Sequence, residues 1–471
     1  MYLQATYRGR MILPMLVLVM AQAFLGARFQ LGFLLLPSLA VGLLFIFRPV
    51  VFIYLLLLFR PLMELSTQMG LLGGGGAHTT LNLNAVVAVF VIGLVSVRFI
   101  GESLVLRERS QVPPADPVDR AWFFFLAYML AVSLAFSDHR LTSLLDFGRL
   151  ANMLAVYWLA KRCGPTSPRA ALGILICILI SALPPLMGQV QQIIAGGGKL
   201  EFGSVTRRYG FFVNAVVYSQ FMALIATVCM AYWMHLKKWR AKFLALGGLG
   251  VILLSQALSY GKGGWGGTIV GILTLSVLER GLADKLRKVI IVGCAIATAG
   301  FLVIELLPGV EDYVLRVLDV STPEESSMAT RFMIWRALVP YFLENPVFGH
   351  GLMGGYLGSQ FFLGKLIEPH NDYFRLLLDG GLLGLGLYLI LIVTVLKSMF
   401  RFLWRLEELN PAYGLIVRAL LAMEISFLAM ALVDNIITSL VLQYPIWITA
   451  GMVRRIYENS VGQHPPLPGR G

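Results

Sequence analysis

Residues 170–195 read AALGILICILISALPPLMGQVQQIIA, an apolar run without a charged side chain. A helix of that length rises roughly 39 Å at about 1.5 Å per residue, enough to cross the ~30 Å hydrocarbon core of a bilayer. Working outward in both directions, comparable runs recur near 11–27, 31–47, 50–69, 82–100, 120–137, 141–160, 211–235, 242–259, 264–279, 288–307, 372–397, 412–433 and 437–453. The expected fold is all-α: a polytopic transmembrane helical bundle of about 12 spans, and up to 14.

The whole-chain composition agrees. Of 471 residues, 58% are apolar and 13% charged, against roughly 25% charged in soluble domains. The mean hydropathy is +0.78. A soluble globule built from this chain would expose more apolar surface than water tolerates. Cytosolic enzymes, secreted domains and nucleic-acid binders are excluded. The net charge of +13 reflects short basic loops, which set orientation and contact anionic lipid. Cys163, Cys177, Cys229 and Cys294 form no CxxC and no Cys/His cluster, so neither a disulfide framework nor a zinc site is expected. Arg8 and Arg10 precede the run from Met11 to Ala27 in the manner of a signal peptide. Further spans follow at once, so this run reads as a retained first helix.

Basic loops at 107–120, 161–169, 236–242, 279–288 and 397–412 are each separated by two spans, so all can face the cytoplasm together. Arg454 and Arg455 put the C-terminus there too, with a disordered tail at 456–471. The connections 196–210, 260–263 and 308–371 then face outward. The chain reads as one integral membrane domain, 1–471, in which only the 308–371 periplasmic loop is long enough to form structure beyond the bilayer. Within it MATRFMIWRALVPYFLEN (328–345) reads as an amphipathic helix, with Phe332, Trp335, Val339 and Phe342 at helical spacing and with Trp335 and Phe342 against lipid in the interface. Thr330 is a candidate cap, Pro340 a kink, and Asn345-Pro346 a stop.

This topology gathers Arg207, Arg208, Lys262, Arg331, Arg336 and His370 on the outer face, where the orientation bias depletes cations. Such a set suits an anionic ligand such as a pyrophosphate head group. Acids of the long loop, Glu311, Asp312, Asp319, Glu324, Glu325, Glu344 and Glu368, are the competing partners.

Motifs tip that balance. Arg331-Phe-Met-Ile-Trp335-Arg336 runs on to Asn345-Pro346-Val-Phe-Gly349-His-Gly351, then Pro369-His370-Asn371-Asp372-Tyr373 and Gly380-Gly381-Leu-Leu-Gly384. This run resembles the O-antigen ligase family, part of a superfamily with O-antigen polymerases and protein O-oligosaccharyltransferases. The family's His-Asn, nine residues, Gly-x-x-Gly pattern is met by His370, Asn371, Gly381 and Gly384. Arg208-Tyr-Gly210-Phe-Phe-Val-Asn214 is similar to its Arg-x-x-Gly-x-x-x-Asn stretch, and Ser259-Tyr-Gly-Lys262-Gly to its Ser-Arg-Gly turn, with lysine in place of the usual arginine and an offset in spacing. The resemblance covers roughly residues 200–400. It implies transfer of a polysaccharide from undecaprenyl pyrophosphate to a sugar hydroxyl of lipid A–core, at the periplasmic face of a bacterial inner membrane. It also implies inversion at the anomeric carbon, without a metal or cofactor.

The chemistry gives these residue types a reason. Pyrophosphate is a good leaving group, so its departure needs cations rather than a strong general acid, and arginine forks match phosphate oxygens. The acceptor hydroxyl gains nucleophilicity when a base takes its proton, and imidazole suits that task near neutral pH. His370 is therefore the candidate base. Arg208, Arg331, Arg336, Lys262, Arg207 and Asn371 are the candidate substrate-binding residues, with Asn371 or Asp372 orienting the ring. The chain has no DxD and no HExxH, so no metal ligands are expected. Bland roles go to other residues. His350 shapes a turn, Asp146 and Arg149 neutralise one another on one helix face, and Gly73–Gly76 is a loop rather than a phosphate cradle. Glu424 lies deep in an apolar helix with no evident partner. The rivals are a polymerase or protein-directed ligase, and a transporter of lipid-linked sugar. A transporter would concentrate its polar groups near the midplane rather than at one face.

Overall fold

The computed structural model describes residues 42–65, 88–98, 116–201, 205–212, 214–279 and 327–463. The runs at 11–27 and 288–307, the Gly73–Gly76 loop and the start of the long connection lie outside these residues. What is described is almost entirely helical: α1 (Pro49–Phe59), α2 (Ala88–Arg98), α3 (Pro117–Phe136), α4 (Arg140–Cys163), α5 (Pro168–Ile180), α6 (Leu183–Ile194), α7 (Ala215–His235), α8 (Trp239–Ser259), α9 (Lys262–Val277), α10 (Ser327–Glu344), α11 (Gly354–Leu363), α12 (Asp372–Leu409), α13 (Pro411–Ala431) and α14 (Leu440–Gln463). One two-stranded hairpin interrupts them, β1 (Lys199–Glu201) against β2 (Val205–Arg207), antiparallel with Lys199 opposite Arg207.

Six described stretches are long and apolar enough to cross a membrane: α3, α5 with α6, α7, α8, α12 and α13. The molecule is a multi-pass membrane protein. At its centre α7 is buried on nearly every side, packed by α8, α9 and α13. Small residues allow the close approach: Gly264 of α9 lies against Ser219, and Gly271 lies between Thr227 and Ser426. The long α14 lies along α4, and α12 joins α13 to α3.

The two ends differ in charge. Lys161, Arg162, Arg169, Lys237, Lys238, Arg240, Lys242, Arg401, Arg405, Arg454 and Arg455 all belong to one end. There Lys161 bonds Asp116 and Asp119, which form a capping box on α3. The other end collects the 137–139 turn, the hairpin, the Tyr260–Gly261 turn, residues 345–371 and the 432–439 connection.

Several elements depart from the sequence reading. α12 continues past Lys397 to Leu409 and α14 past Ile456 to Gln463, where Tyr457 stacks on Phe402 at 3.9 Å. Charge marks where these helices leave the apolar layer, not where they stop. α10 begins at Ser327, before Thr330, and its buried seam is Ile334 and Leu338 against Leu378 of α12. Trp335 and Phe342, expected against lipid, pack beside that seam, and Trp335 donates to the Pro369 carbonyl at 2.6 Å, while Phe332 and Val339 face outward.

α12 is broken at Gly381 (φ 64°, ψ −166°). The break frees backbone groups inside an apolar bundle, where each unpaired group is costly. The Asn345–Gly351 segment takes them up. His350 and Gly351 N–H donate to the carbonyls of Leu378 (3.0 Å) and Asp379 (2.8 Å), while Leu382 and Leu383 N–H donate to those of Pro346 (2.9 Å) and Val347 (3.3 Å). Tyr128 Oη donates to the Gly380 carbonyl at 2.8 Å. The Gly-x-x-Gly pattern thus has a structural function.

Candidate active site

His370 stands immediately before α12, in a left-handed conformation (φ 52°). Its backbone N–H donates to Asn435 Oδ1 at 2.5 Å, and its ring Nδ1 lies 3.2 Å from Asp434 Oδ1. A carboxylate only accepts, so Nδ1 is the donor of this contact, and the tautomer it selects in the neutral ring leaves Nε2 as the acceptor. The side chain is 41% exposed, which leaves a ligand room to approach. Neither expected neighbour orients the ring. Asn371 instead caps α12, accepting from Phe374 N–H at 2.9 Å, and donates to the Leu432 carbonyl at 3.0 Å. Asp372 is fully buried and accepts from the N–H groups of Ile436 (2.8 Å) and Ile437 (2.7 Å).

Asp434, which sequence reasoning missed, is the hub. Its Oδ2 accepts from Gln220 Nε2 of α7 at 3.2 Å, and Gln220 sits against the Gly263 backbone at the start of α9. Arg331 of α10 feels the same carboxylate: burial pulls its guanidinium down, and the charge of Asp434 pushes it back up. The only signal in the sequence was an Asp-Asn pair between two apolar runs.

The remaining cations divide. Arg207 is half-buried, and its Nε donates to the Ser259 carbonyl at 2.9 Å, so it fixes the hairpin onto the end of α8. Arg208 continues that docking through its backbone, with N–H to the Leu258 carbonyl at 3.0 Å, but its Nε is buried without a hydrogen-bond partner among the described residues. Burial pushes the neighbouring Tyr260 phenol up, and the charge of Arg208 opposes this. Gln189 and Gln192 of α6 hold the Arg208–Gly210 backbone in place. Lys262 opens α9 and is exposed at the same end. Arg336 is exposed on the outer face of α10 beside Phe332 and Val339, away from the Ile334–Leu338 seam.

Beneath His370 lies a buried ionic cluster. Arg375 donates to Asp146 Oδ2 of α4 (2.5 Å), to Asp379 (3.3 Å) and to Thr438 Oγ1 (3.3 Å), while Arg149 pairs with the other oxygen of Asp146 at 3.0 Å. Asp379 also accepts from the N–H groups of Met353 and Gly355 at the start of α11. The Asp146–Arg149 pair therefore exists as expected, but as part of a larger structure. His350 stacks on Tyr341 (3.8 Å between ring centres) and its Nε2 meets the Tyr341 carbonyl, a packing role. Glu424 stays buried, with one carboxylate oxygen lacking a partner among the described residues. No group of three or more His, Cys, Asp or Glu able to hold a metal occurs among the described residues.

Residues 211–389 match the family model described as O-Antigen ligase. The matched segment contains Lys262, Arg331, Arg336, His370, Asn371, Gly381 and Gly384, while Arg207 and Arg208 precede it and Asp434 follows it. The match makes this segment, less than half of the chain, similar to the O-antigen ligase family. No curated protein matches the chain.

Proposed function

The segment that holds His370 matches the O-antigen ligase family, and from that premise we propose that the chain is an inverting, metal-independent ligase of the bacterial inner membrane. It transfers a polysaccharide from undecaprenyl pyrophosphate to a sugar hydroxyl of lipid A–core. The observation that carries the reading is the convergence of His370, Asp434 and Arg331 at one end of the bundle. His370 Nε2 takes the proton of the attacking hydroxyl, and Asp434 stabilises the imidazolium that results. Arg331 and Arg208, with Lys262 at the margin, bind the leaving pyrophosphate as its charge grows. Arg207 acts indirectly, by seating the hairpin that presents Arg208.

The clustering of basic side chains at the opposite end supports a periplasmic site, because cytoplasmic loops are the ones enriched in Lys and Arg. The described part of that connection, residues 327–371, then forms the outer cover, with α10 and α11 packed against α12. The deciding experiment incubates the purified protein with lipid-linked glycan and core lipid from the native host, with and without acceptor. Glycosylated core lipid is the expected product. A longer lipid-linked glycan would identify a polymerase, and movement of unmodified donor across a vesicle membrane would identify a transporter.

A further inference from the structure

The 432–439 connection between α13 and α14 supplies both groups that hold His370: Asn435 Oδ1 to its backbone N–H and Asp434 to its ring. A non-glycine residue at φ 52° is strained, and its conformation persists only where the surroundings enforce it. The connection is in turn fastened to the first turn of α12. Asp372 contributes most, since its Oδ2 accepts from two successive N–H groups, Ile436 and Ile437. Its Oδ1 lies 3.5 Å from Asn435 Nδ2. That contact turns the amide donor of Asn435 toward the acid and its oxygen toward His370. Asn371 and Arg375 add single bonds at Leu432 and Thr438.

We propose that Asp372 is a positioning residue for the transfer reaction. It anchors the α13–α14 connection so that Asn435 and Asp434 hold His370 where the acceptor hydroxyl arrives. The proposal rests on the reading of His370 as base. Asp372 is fully buried, so it acts on rate through His370 and not on donor affinity. A displacement of about 1 Å at a reacting group costs on the order of 10²-fold in rate.

The test uses the full-length protein in lipid nanodiscs, with donor and acceptor lipids extracted from the native host. Asp372→Ala should lower kcat about 10- to 100-fold and leave the donor KM within about twofold. Asp372→Asn keeps an acceptor oxygen for Ile436 and Ile437 and should recover roughly a third of kcat or more. In a His370→Gln background, adding Asp372→Ala should change the residual turnover by less than about twofold, since two residues acting through one step are not additive. If Asp372→Ala does not fold, Asn435→Ala removes the next link and should give the same kcat-only loss. Unchanged kcat in a folded variant overturns the proposal, as does an equal loss in the His370→Gln background. Should His370→Gln turn over at the wild-type rate, the base reading falls and this proposal with it. An inactive His370→Gln beside a fully active Asp372→Ala overturns the positioning role alone.

Discussion

Replacing Gly381 by alanine should be among the most damaging single-methyl changes in the molecule. The residue occupies φ 64°, ψ −166°, a region that is essentially glycine's own, and forcing another residue into it costs of order 1–3 kcal/mol. A Cβ at this position would also run into the Val347 carbonyl and sit 2.7 Å from Phe348 N, so the 345–351 segment must move. That segment makes four backbone hydrogen bonds across the break, each worth about 0.5–1.5 kcal/mol. Losing half of them brings the total to roughly 2–6 kcal/mol. Gly386 is the internal control, because it lies in the same helix and a methyl added there would meet nothing within 4 Å. Gly386→Ala should be neutral or stabilise by up to ~1 kcal/mol. Thermal unfolding of the two purified variants in one detergent, followed by loss of monodisperse protein, compares them directly. Equal melting temperatures for the two would refute the argument that the break is a built feature maintained by the 345–351 segment.

His370→Gln should lose about 10²–10⁴-fold in turnover while still binding donor. EDTA should leave the purified enzyme unaffected, and loss of activity restored by a divalent ion would point to a metal mechanism instead. Arg208→Ala and Arg331→Ala should each abolish or strongly reduce transfer, with only partial rescue by lysine, which lacks the two-point fork. Arg336→Ala should retain most activity, so an inactive Arg336→Ala of normal stability would show that the outward face of α10 also binds substrate. Single cysteines at Lys262 and Lys237 in a Cys-less background should label from opposite sides of intact cells, Lys262 from outside. The reverse pattern would invert the proposed orientation.

The helices were largely legible because crossing a bilayer demands an apolar run of fixed minimum length, and composition alone reports that. What periodicity misjudged was which residues of the α10 stripe meet lipid. Trp335 and Phe342 were expected there, but Leu378 of α12 draws them in beside Ile334 and Leu338, while Phe332 and Val339 stay exposed. His370, Arg208 and Arg331 stood out through motif and side. Asp434 did not, since it meets His370 only because α12 and α13 pack together and bring the two helix ends side by side. Asn371 and Asp372 were read as groups serving the imidazole. Being next in sequence, they start a helix, and a helix start directs their side chains to its own N–H groups and to the neighbouring connection. The broken α12 was invisible as such: Gly380-Gly381 reads as a tolerated glycine pair until the segment that fills the gap is seen.

The ionic cluster under His370 has a bearing on how the chain is made. Asp146 and Arg149 lie three apart on α4, and Arg375 and Asp379 lie four apart on α12. Each helix therefore carries its own counterion and can leave the insertion machinery as an electrically balanced unit, without waiting for a partner synthesised more than two hundred residues later. Where the two helices meet, Arg375 also reaches across to Asp146, so the two pairs join into one cluster. Lateral association in lipid relies on packing and polar contacts, since hydrocarbon gives no hydrophobic drive. A charge pair within each helix thus persists in the folded protein and is joined, not replaced, by the bond between the two helices.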